Sequence, residues 1–319
     1  MLIIVNIPAY NEAKKIGSVV KAIPRRFKGV EIKVQVSDDG SEDDTVKVSR
    51  DAGAEFVYSF PHRGLGLTFR SGVEKALENG ADIMVNIDAD GQFSPNDIPK
   101  IFNPVLKGEA DMVVASRFSG EKKHNPVSMP WIKKFLNVTA AKMVGLFWGQ
   151  KIDDLTCGFR AYERELLMRL NLNHPFTYTQ ETIIDALSKN FKIIWIPVKV
   201  TYFEKRESRM TGKLGKFIFE STRIIVGMLC DTKPLKFFGL PALILIISAL
   251  ILFGIFLSYY FGDFKITPYR NWLIIGGIAI VLGIQLMIFA LVADMIRSER
   301  QISEENLYLA RKARYDRKK

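Results

Sequence analysis

Val85-Asn86-Ile87-Asp88-Ala89-Asp90-Gly91-Gln92 decides the fold, because a short apolar run ends there in two carboxylates one residue apart. Residues 83–87 are rich in β-branched and apolar side chains and are flanked by Gly80 and Gly91. That pattern predicts a buried strand whose carboxyl end presents Asp88 and Asp90. In an open α/β sheet this is the end at which ligands bind. Two alternate carboxylates and the amide oxygen of Gln92 make an all-oxygen donor set, suited to a hard divalent cation, Mg2+ or Mn2+, rather than to zinc. The same residues would also close a strand as an Asp-rich turn, so the neighbouring segments must decide.

Those segments repeat the arrangement. Residues 2–7 form a strand-like run that stops at Pro8-Ala9-Tyr10-Asn11-Glu12, after which Ile16, Val19, Val20 and Ile23 recur at helical spacing. Tyr10 offers a flat face for a base, and Glu12 lies at a helix start where its carboxylate can take ribose or base donors. Residues 32–36 form a second strand ending in Ser37-Asp38-Asp39-Gly40-Ser41. Asp39 can accept the imide N–H of uracil or the N1–H of guanine, while Ser41 and the acidic run also suit a helix N-cap. After a third strand at 55–58 come His62-Arg63-Gly64-Leu65-Gly66, in which His62 reads as a loop residue, and Arg70-Ser71-Gly72. Three strand ends thus point polar residues the same way in a β-α-β-α-β order, which predicts a largely parallel sheet.

Composition adds a second feature. The 319 residues are 48% hydrophobic, with mean hydropathy +0.08. The excess lies in two uncharged runs, 237–261 and 271–293. At about 1.5 Å per residue each reaches roughly 35 Å, enough to cross a hydrocarbon core of about 30 Å. Tyr259, Tyr260, Arg270, Trp272 and Arg297 bracket them. The net charge of +11 comes from 45 basic and 34 acidic residues. With much of the basic excess beside the spans, it points to anionic lipid headgroups and not to nucleic acid. Arg297, Arg300, Arg311, Lys312, Arg314, Arg317, Lys318 and Lys319 follow the second span, against Lys265 and Arg270 between the spans. The positive-inside rule therefore places the C-terminal end, and with a two-span hairpin the N-terminal region too, on the cytoplasmic side. Cys157 and Cys230 lack a partner motif, which argues against a disulfide framework or a zinc site. Residues 1–7 are too short for a signal peptide, and Pro8 interrupts them.

Taken in order, Pro8-x-Tyr10-Asn11-Glu12, Asp38-Asp39-Gly40-Ser41 and Asp88-Ala89-Asp90-Gly91-Gln92 resemble the family 2 glycosyltransferases of GT-A fold. Within them, the polyprenyl-phosphate glycosyltransferases typified by dolichyl-phosphate mannose synthase are the most similar. The resemblance covers residues 1–236. It implies an α/β GT-A (Rossmann-like) catalytic domain over 1–210 and an amphipathic juxtamembrane segment at 211–236. A two-helix transmembrane hairpin within 237–296 (237–261 and 271–295) and a basic cytoplasmic tail at 297–319 complete the expected order. It also implies that Pro8, Tyr10, Glu12, Ser37 (through its backbone) and Asp39 hold the nucleoside, that Asp88, Ala89 and Asp90 meet the rest of the donor, and that Asp88, Asp90 and Gln92 bind the metal. Arg117, after a strand at 110–116, would lie beside the donor diphosphate or the acceptor phosphate and, with Asp90, act in catalysis.

Further motifs extend the resemblance. Asp153-Asp154-Leu155-Thr156-Cys157-Gly158-Phe159-Arg160 resembles the family's Asp-x-Thr-Ser-Gly-Phe-Arg, with Cys157 replacing serine; Asp154 and Arg160 would organise the acceptor side or form a structural ion pair. Gln180-Glu181 would orient site residues. Residues 202–210 resemble a phosphate-clamping Arg-x-x-Gly-x-Ser-Lys segment without its glycine and with arginine for lysine, which leaves Arg206 and Arg209 in competition with Lys213. A strand at 193–200 with Pro197 inside it should be an edge. The polar stretch 120–130 reads as a loop at the acceptor entrance, and Phe217, Ile218, Ile224, Ile225, Met228 and Leu229 form an apolar helix face that can lie in a membrane interface or face a core.

The expected activity is metal-dependent, inverting transfer of a hexose from a nucleotide sugar (GDP-mannose or a UDP-hexose) to polyprenyl or dolichyl phosphate at the cytoplasmic membrane face. Membrane lipids and a homo-oligomer formed through the hairpin are the further partners this reading admits. Two alternatives stand beside it. A processive polysaccharide synthase of the same fold usually has a Gln-x-x-Arg-Trp element and more spans, neither of which is present; a non-catalytic nucleotide-binding membrane scaffold would not need the full set of metal ligands.

Overall fold

A computed structural model describes residues 1–118, 131–201, 214–263, 267 and 270–316. Arg206, Arg209 and Lys213, with the segment 202–210 and the stretch 120–130, lie outside the described residues. Two compact units are formed, Met1–Ile225 with Glu304–Lys319, and Val226–Ser303.

The first unit is built on an eight-stranded sheet of order β2-β3-β1-β5-β7-β6-β8, with β4 also paired to β3. Its central strands are β1 (Leu2–Ala9), β3 (Val30–Asp38) and β5 (Ile83–Asn86), all parallel. β1 is buried on both faces from Ile3 to Ala9, which is why it reads as an apolar run and not as an alternating one. β2 (Arg26–Phe27) is a short antiparallel edge beside β3, and β4 (Phe56–Ser59) pairs parallel to it. β6 (Met112–Ser116) and β8 (Ile193–Pro197) pair parallel to each other, and β8 ends the strand order, as Pro197 predicts.

Between β5 and β6 lies β7 (Arg160–Glu163), antiparallel to both. The sequence reading did not anticipate it, because its four residues sit inside a motif read for chemistry and show no alternation of their own. Its direction matters. An antiparallel strand brings its amino-terminal approach, residues 154–158, to the edge where the parallel strands end, since Arg160 is in register with Asn86.

Helices α1 (Ala13–Ala22), α2 (Thr45–Asp51), α3 (Leu65–Glu78) and α4 (Ile98–Leu106) follow strands or their loops, and α5 (Trp131–Trp148), α6 (Arg164–Arg169) and α7 (Thr179–Ser188) complete the order before α8 (Leu214–Thr232). α3 packs closely because Gly72 has no side chain: a Cβ there would lie 2.7 Å from Ser37 Oγ and 2.8 Å from Asn6 Oδ1.

Two helices, Leu235–Gly262 and Arg270–Asp316, the second unit holding the first and the greater part of the other, are long and apolar enough to cross a membrane. The corresponding helices are α9 (Leu240–Asp263) and α10 (Arg270–Asp316). Small residues let them approach: a Cβ on Gly283 would lie 2.7 Å from Ile246 Cγ1, and Ala242, Ala249 and Ala290 are buried. Residues 297–316, which composition marks only as basic, continue α10 as helix. Its last turns belong to the first unit. There Arg311 donates to the carbonyls of Met168 (3.0 Å) and Leu170 (2.7 Å), Arg169 pairs with Glu305 at 2.8 Å, and Tyr308 and Tyr315 are buried.

Candidate active site

The site begins with a polar row inside the sheet. Gln35, Asn6, Asn86 and Arg160 are successive cross-strand partners on β3, β1, β5 and β7, and all four are fully buried. Buried amides must be paired, and here they pair mainly with one another. Gln35 donates to Asn6 Oδ1 (3.0 Å) and to the Gly72 carbonyl (2.8 Å), Ser37 Oγ donates to Asn6 Oδ1 (2.7 Å), and Asn6 Nδ2 donates to Asn86 Oδ1 (2.9 Å). Asn86 Nδ2 then donates to Tyr178 Oη (2.7 Å) and the Gly158 carbonyl (3.1 Å). The row thus fixes Gly158 and Tyr178, the two residues against which Asp88 sits.

Asp88, just past β5, is half-buried. A Cβ on Gly158 would lie 2.8 Å from Asp88 Oδ1 and 2.8 Å from Tyr178 Oη, so only glycine leaves room for this carboxylate. Asp90 follows, with its Oδ1 accepting the Gln92 N–H at 3.0 Å across a turn in which Gly91 has φ +72°. Ala89 between them is buried, and the Gln92 carbonyl accepts from Thr201 N. Among the described residues no cluster of three or more His, Cys, Asp or Glu could hold a metal. A pair of carboxylates nevertheless fits Mg2+, which is commonly held by one or two carboxylates with substrate phosphates completing the octahedron.

Arg117 leaves β6 on the same edge. Its Nε and Nη2 form a fork on Asp154 (2.8 and 2.9 Å), its N–H adds 3.2 Å, and Nη2 also reaches Thr156 Oγ1 at 2.6 Å. Asp154 is fully buried. Burial alone would raise its carboxyl, but the Arg117 charge and hydrogen bonds outweigh it and hold the group below the ordinary 3.8. Asn137 of α5 donates to Asp154 Oδ1 at 3.0 Å and ties that helix to the pair. The acid that holds Arg117 is therefore Asp154, and the ion pair expected between Asp154 and Arg160 is made with Arg117 instead. Arg160 donates instead to the Cys157, Leu155 and Thr179 carbonyls and to Thr182, a structural role that locks the 155–157 turn onto α7.

Asp88 and Arg117 line one cavity of about 290 Å³. Thr156, Gly158, Tyr178 and Gln180 continue its polar end, and Leu65, Leu136 and Ala140 of α5, Leu155, and Ile218 and Ile225 of α8 form an apolar wall. Part of the apolar face of α8 is thus turned to the cavity. Burial, then the nearby Asp88 charge, raises the Tyr178 phenol well above 10.0, and burial pushes the Cys157 thiol up to about 12. Both stay neutral at physiological pH. Glu181, also buried, accepts the main-chain N–H of Asn173 (2.8 Å) and His174 (3.3 Å) and shapes the loop leading to Tyr178.

The expected nucleoside residues gather beside this cavity. Pro8 and Ser37 are in register on β1 and β3, and Tyr10, Glu12 and Asp39 follow on the same edge. Glu12 caps α1 with its carbonyl, which accepts from Lys15 and Ile16, and its N–H donates to Thr45 Oγ1 at 2.8 Å. The Ser37 hydroxyl is committed to the buried row, and its backbone lies between β1 and β4 in the sheet. Asp39 accepts from Arg63 N (3.0 Å), Gly64 N (3.1 Å) and Thr68 Oγ1 (2.6 Å), and His62 Nδ1 lies 2.9 Å from its Oδ2. Tyr178, Thr156 and the α5 wall were absent from the sequence-derived set: Gly158 sits in a motif that names it, whereas nothing local marks Tyr178.

Comparison with known proteins agrees with this geometry. Residues 4–170 match Glycosyl transferase family 2. The chain is 31% identical to a UDP-N-acetylglucosamine–dolichyl-phosphate N-acetylglucosaminyltransferase of Methanococcus voltae, over 68% of this chain and 92% of the relative. It is 28% identical to a polyprenol monophosphomannose synthase of Mycolicibacterium smegmatis, over 66% and 81%. In fold it resembles glucosyl-3-phosphoglycerate synthase of Mycobacterium tuberculosis in complex with Mn2+, UDP and phosphoglyceric acid, with TM-score 0.56, 22% identity and 71% and 78% of the two chains covered. The same enzyme with Mg2+ and UDP gives TM-score 0.56, at 23% identity and 71% and 79% coverage. With its mixed sheet, the carboxylates closing β5 and a match that spans strands β1 to β7, the chain belongs to glycosyl transferase family 2 and is a glycosyltransferase.

Proposed function

We propose that this glycosyltransferase moves a hexose from a nucleotide sugar to the phosphate of a polyprenyl or dolichyl lipid, in one inverting step. The observation behind this reading is the cavity in which Asp88 and Arg117 share one chamber with an apolar wall from α5 and α8. A lipid phosphate matches such a chamber, with its anion toward Arg117 and its first isoprene units along Leu136, Ala140, Ile218 and Ile225. Relatives named for dolichyl and polyprenyl phosphate support the acceptor class.

The residues present suit that chemistry. A phosphate oxygen is already anionic at neutral pH, so attack on the anomeric carbon needs alignment and charge stabilisation more than a base. The Asp154 fork fixes the Arg117 guanidinium before substrate arrives, which lowers the reorganisation required. Tyr178, kept protonated, serves as a packed neighbour of Asp88 and not as a base. Asp88, Asp90 and Gln92 would hold Mg2+ or Mn2+, and the ion would supply neutralisation of the departing nucleoside diphosphate. Metal and UDP bound by the structural neighbour support this assignment. Pro8, Tyr10, Glu12, the Ser37 backbone and Asp39 would hold the nucleoside.

The two apolar helices would anchor the enzyme where its acceptor resides. The last turns of α10 share a unit with the catalytic sheet, which suits an even number of crossings, and the basic residues after the second span favour the cytoplasmic side. The test is incubation of the full chain in lipid with polyprenyl phosphate, Mg2+ and a panel of labelled UDP- and GDP-sugars. One label should enter the lipid phase; label in no lipid product from any donor would sink the reading.

A further inference from the structure

We infer that the His62 side chain occupies the base subsite of the donor pocket and must leave it for the nucleotide to seat. The inference rests on the reading that Tyr10 and Asp39 hold the nucleoside. A base held by those two residues makes two contacts, a π-face on the Tyr10 ring and an N–H donated to the Asp39 carboxylate. The His62 ring already fills both places, with its Nδ1 also 3.2 Å from the Asp39 main-chain carbonyl. Its ring stacks on Tyr10 with centroids 4.4 Å apart and planes 20° from parallel, and its Nδ1 lies 2.9 Å from Asp39 Oδ2.

The accounting at Asp39 shows why these contacts exclude a second ligand. A carboxylate has about four acceptor positions. Oδ1 takes Arg63 N and Thr68 Oγ1, Oδ2 takes Gly64 N, and the imidazole blocks the remaining place, its Nδ1 2.9 Å from Oδ2 and within hydrogen-bond distance, 3.2 Å, of the Asp39 carbonyl. A base N–H gains a place only if one donor withdraws. Two of the donors are main-chain N–H groups and Thr68 is buried, whereas the His62 side chain is 59% exposed. The backbone around it is fixed: a Cβ on Gly40 would lie 2.9 Å from His62 N, and the next two N–H groups are bound to Asp39. Rotation of the imidazole into solvent therefore frees the Tyr10 face and one Asp39 position together without disturbing the loop.

His62 thus sets the donor's apparent affinity. Affinity falls by the fraction of molecules in which the imidazole is seated, and a base that cannot both stack and donate an N–H does not displace it. The test is calorimetric titration of the full chain in detergent with UDP and with GDP, each with Mg2+, for the unaltered protein, His62→Ala and His62→Phe. His62→Ala should bind the preferred diphosphate about fivefold more tightly, the factor for one competing net hydrogen bond. His62→Phe, which keeps the stack and loses the N–H, should fall between. Equal or weaker binding by His62→Ala overturns the inference, and weaker binding would mean that the base lies between Tyr10 and His62. If neither diphosphate binds any of the three proteins, the nucleoside reading of Tyr10 and Asp39 falls and the inference with it.

Discussion

Asp39 and Asp88 stand just past the carboxyl ends of β3 and β5, the two parallel strands that flank β1, in similar acidic motifs, yet the fold gives them opposite surroundings. Asp39 is 4% exposed and encircled by donors from the 62–68 segment, which it holds in place. Asp88 is half-buried and opens onto a cavity, with glycine at the point of closest approach. What separates them is the segment packed against each. A loop rich in N–H groups folds onto Asp39, while antiparallel β7 brings Gly158 and an apolar chamber to Asp88. Carboxylates at strand ends therefore have no fixed surroundings: one is enclosed by donors, and the other opens onto a cavity.

Substitutions can break this contrast. The largest effect on stability is expected on the cavity side, from Arg117→Met. It leaves the fully buried Asp154 without its cation, a loss of about 3–5 kcal/mol, measurable by thermal or denaturant unfolding. The same pair fixes a pH dependence. The folded Asp154 lies below its ordinary 3.8, so its contribution is present above that value and is lost as pH falls through the lower, folded value. Melting temperature should decline below about pH 4, and Arg117→Met should flatten that decline.

Gly158→Ala tests the close approach. The added Cβ meets Asp88 Oδ1 and Tyr178 Oη at 2.8 Å, and the shift it forces should reduce transfer about 100-fold, with a stability loss of about 1–3 kcal/mol. On the other side of the comparison, Asp39→Asn should cost about 1–3 kcal/mol, because an amide cannot accept from all the donors that surround Asp39. The smallest effect, about 1–2 kcal/mol, is expected from Arg311→Met, which frees the Met168 and Leu170 carbonyls.

Much of this was legible in the chain. Central strands β1, β3 and β5 announce themselves as apolar runs ending in polar motifs, and the two long apolar helices follow from length and composition. Pro197 marks an edge strand because it has no N–H to give. β7 was not legible, since four residues framed by a turn and a short helix show no period, and with it went the reason that residues 154–158 reach the cavity. An ion pair between Asp154 and Arg160 is not what forms: Asp154 pairs with Arg117, and Arg160 donates to carbonyls made available by the turn and to Thr182. Tyr178 and the α5 and α8 wall depend on packing between segments far apart in sequence. His62 reads as a loop residue, and only the folded loop sets its ring on Tyr10.

The central claim is that Asp88 meets ligand while remaining dispensable to the fold. It is tested most directly by measuring the initial rate of label transfer to polyprenyl phosphate across a Mg2+ titration, with melting curves, for the unaltered protein and Asp88→Asn. The account predicts a rate at least about 100-fold lower at every Mg2+ concentration with an unchanged melting temperature. A variant that keeps the full rate at the same Mg2+ would contradict it.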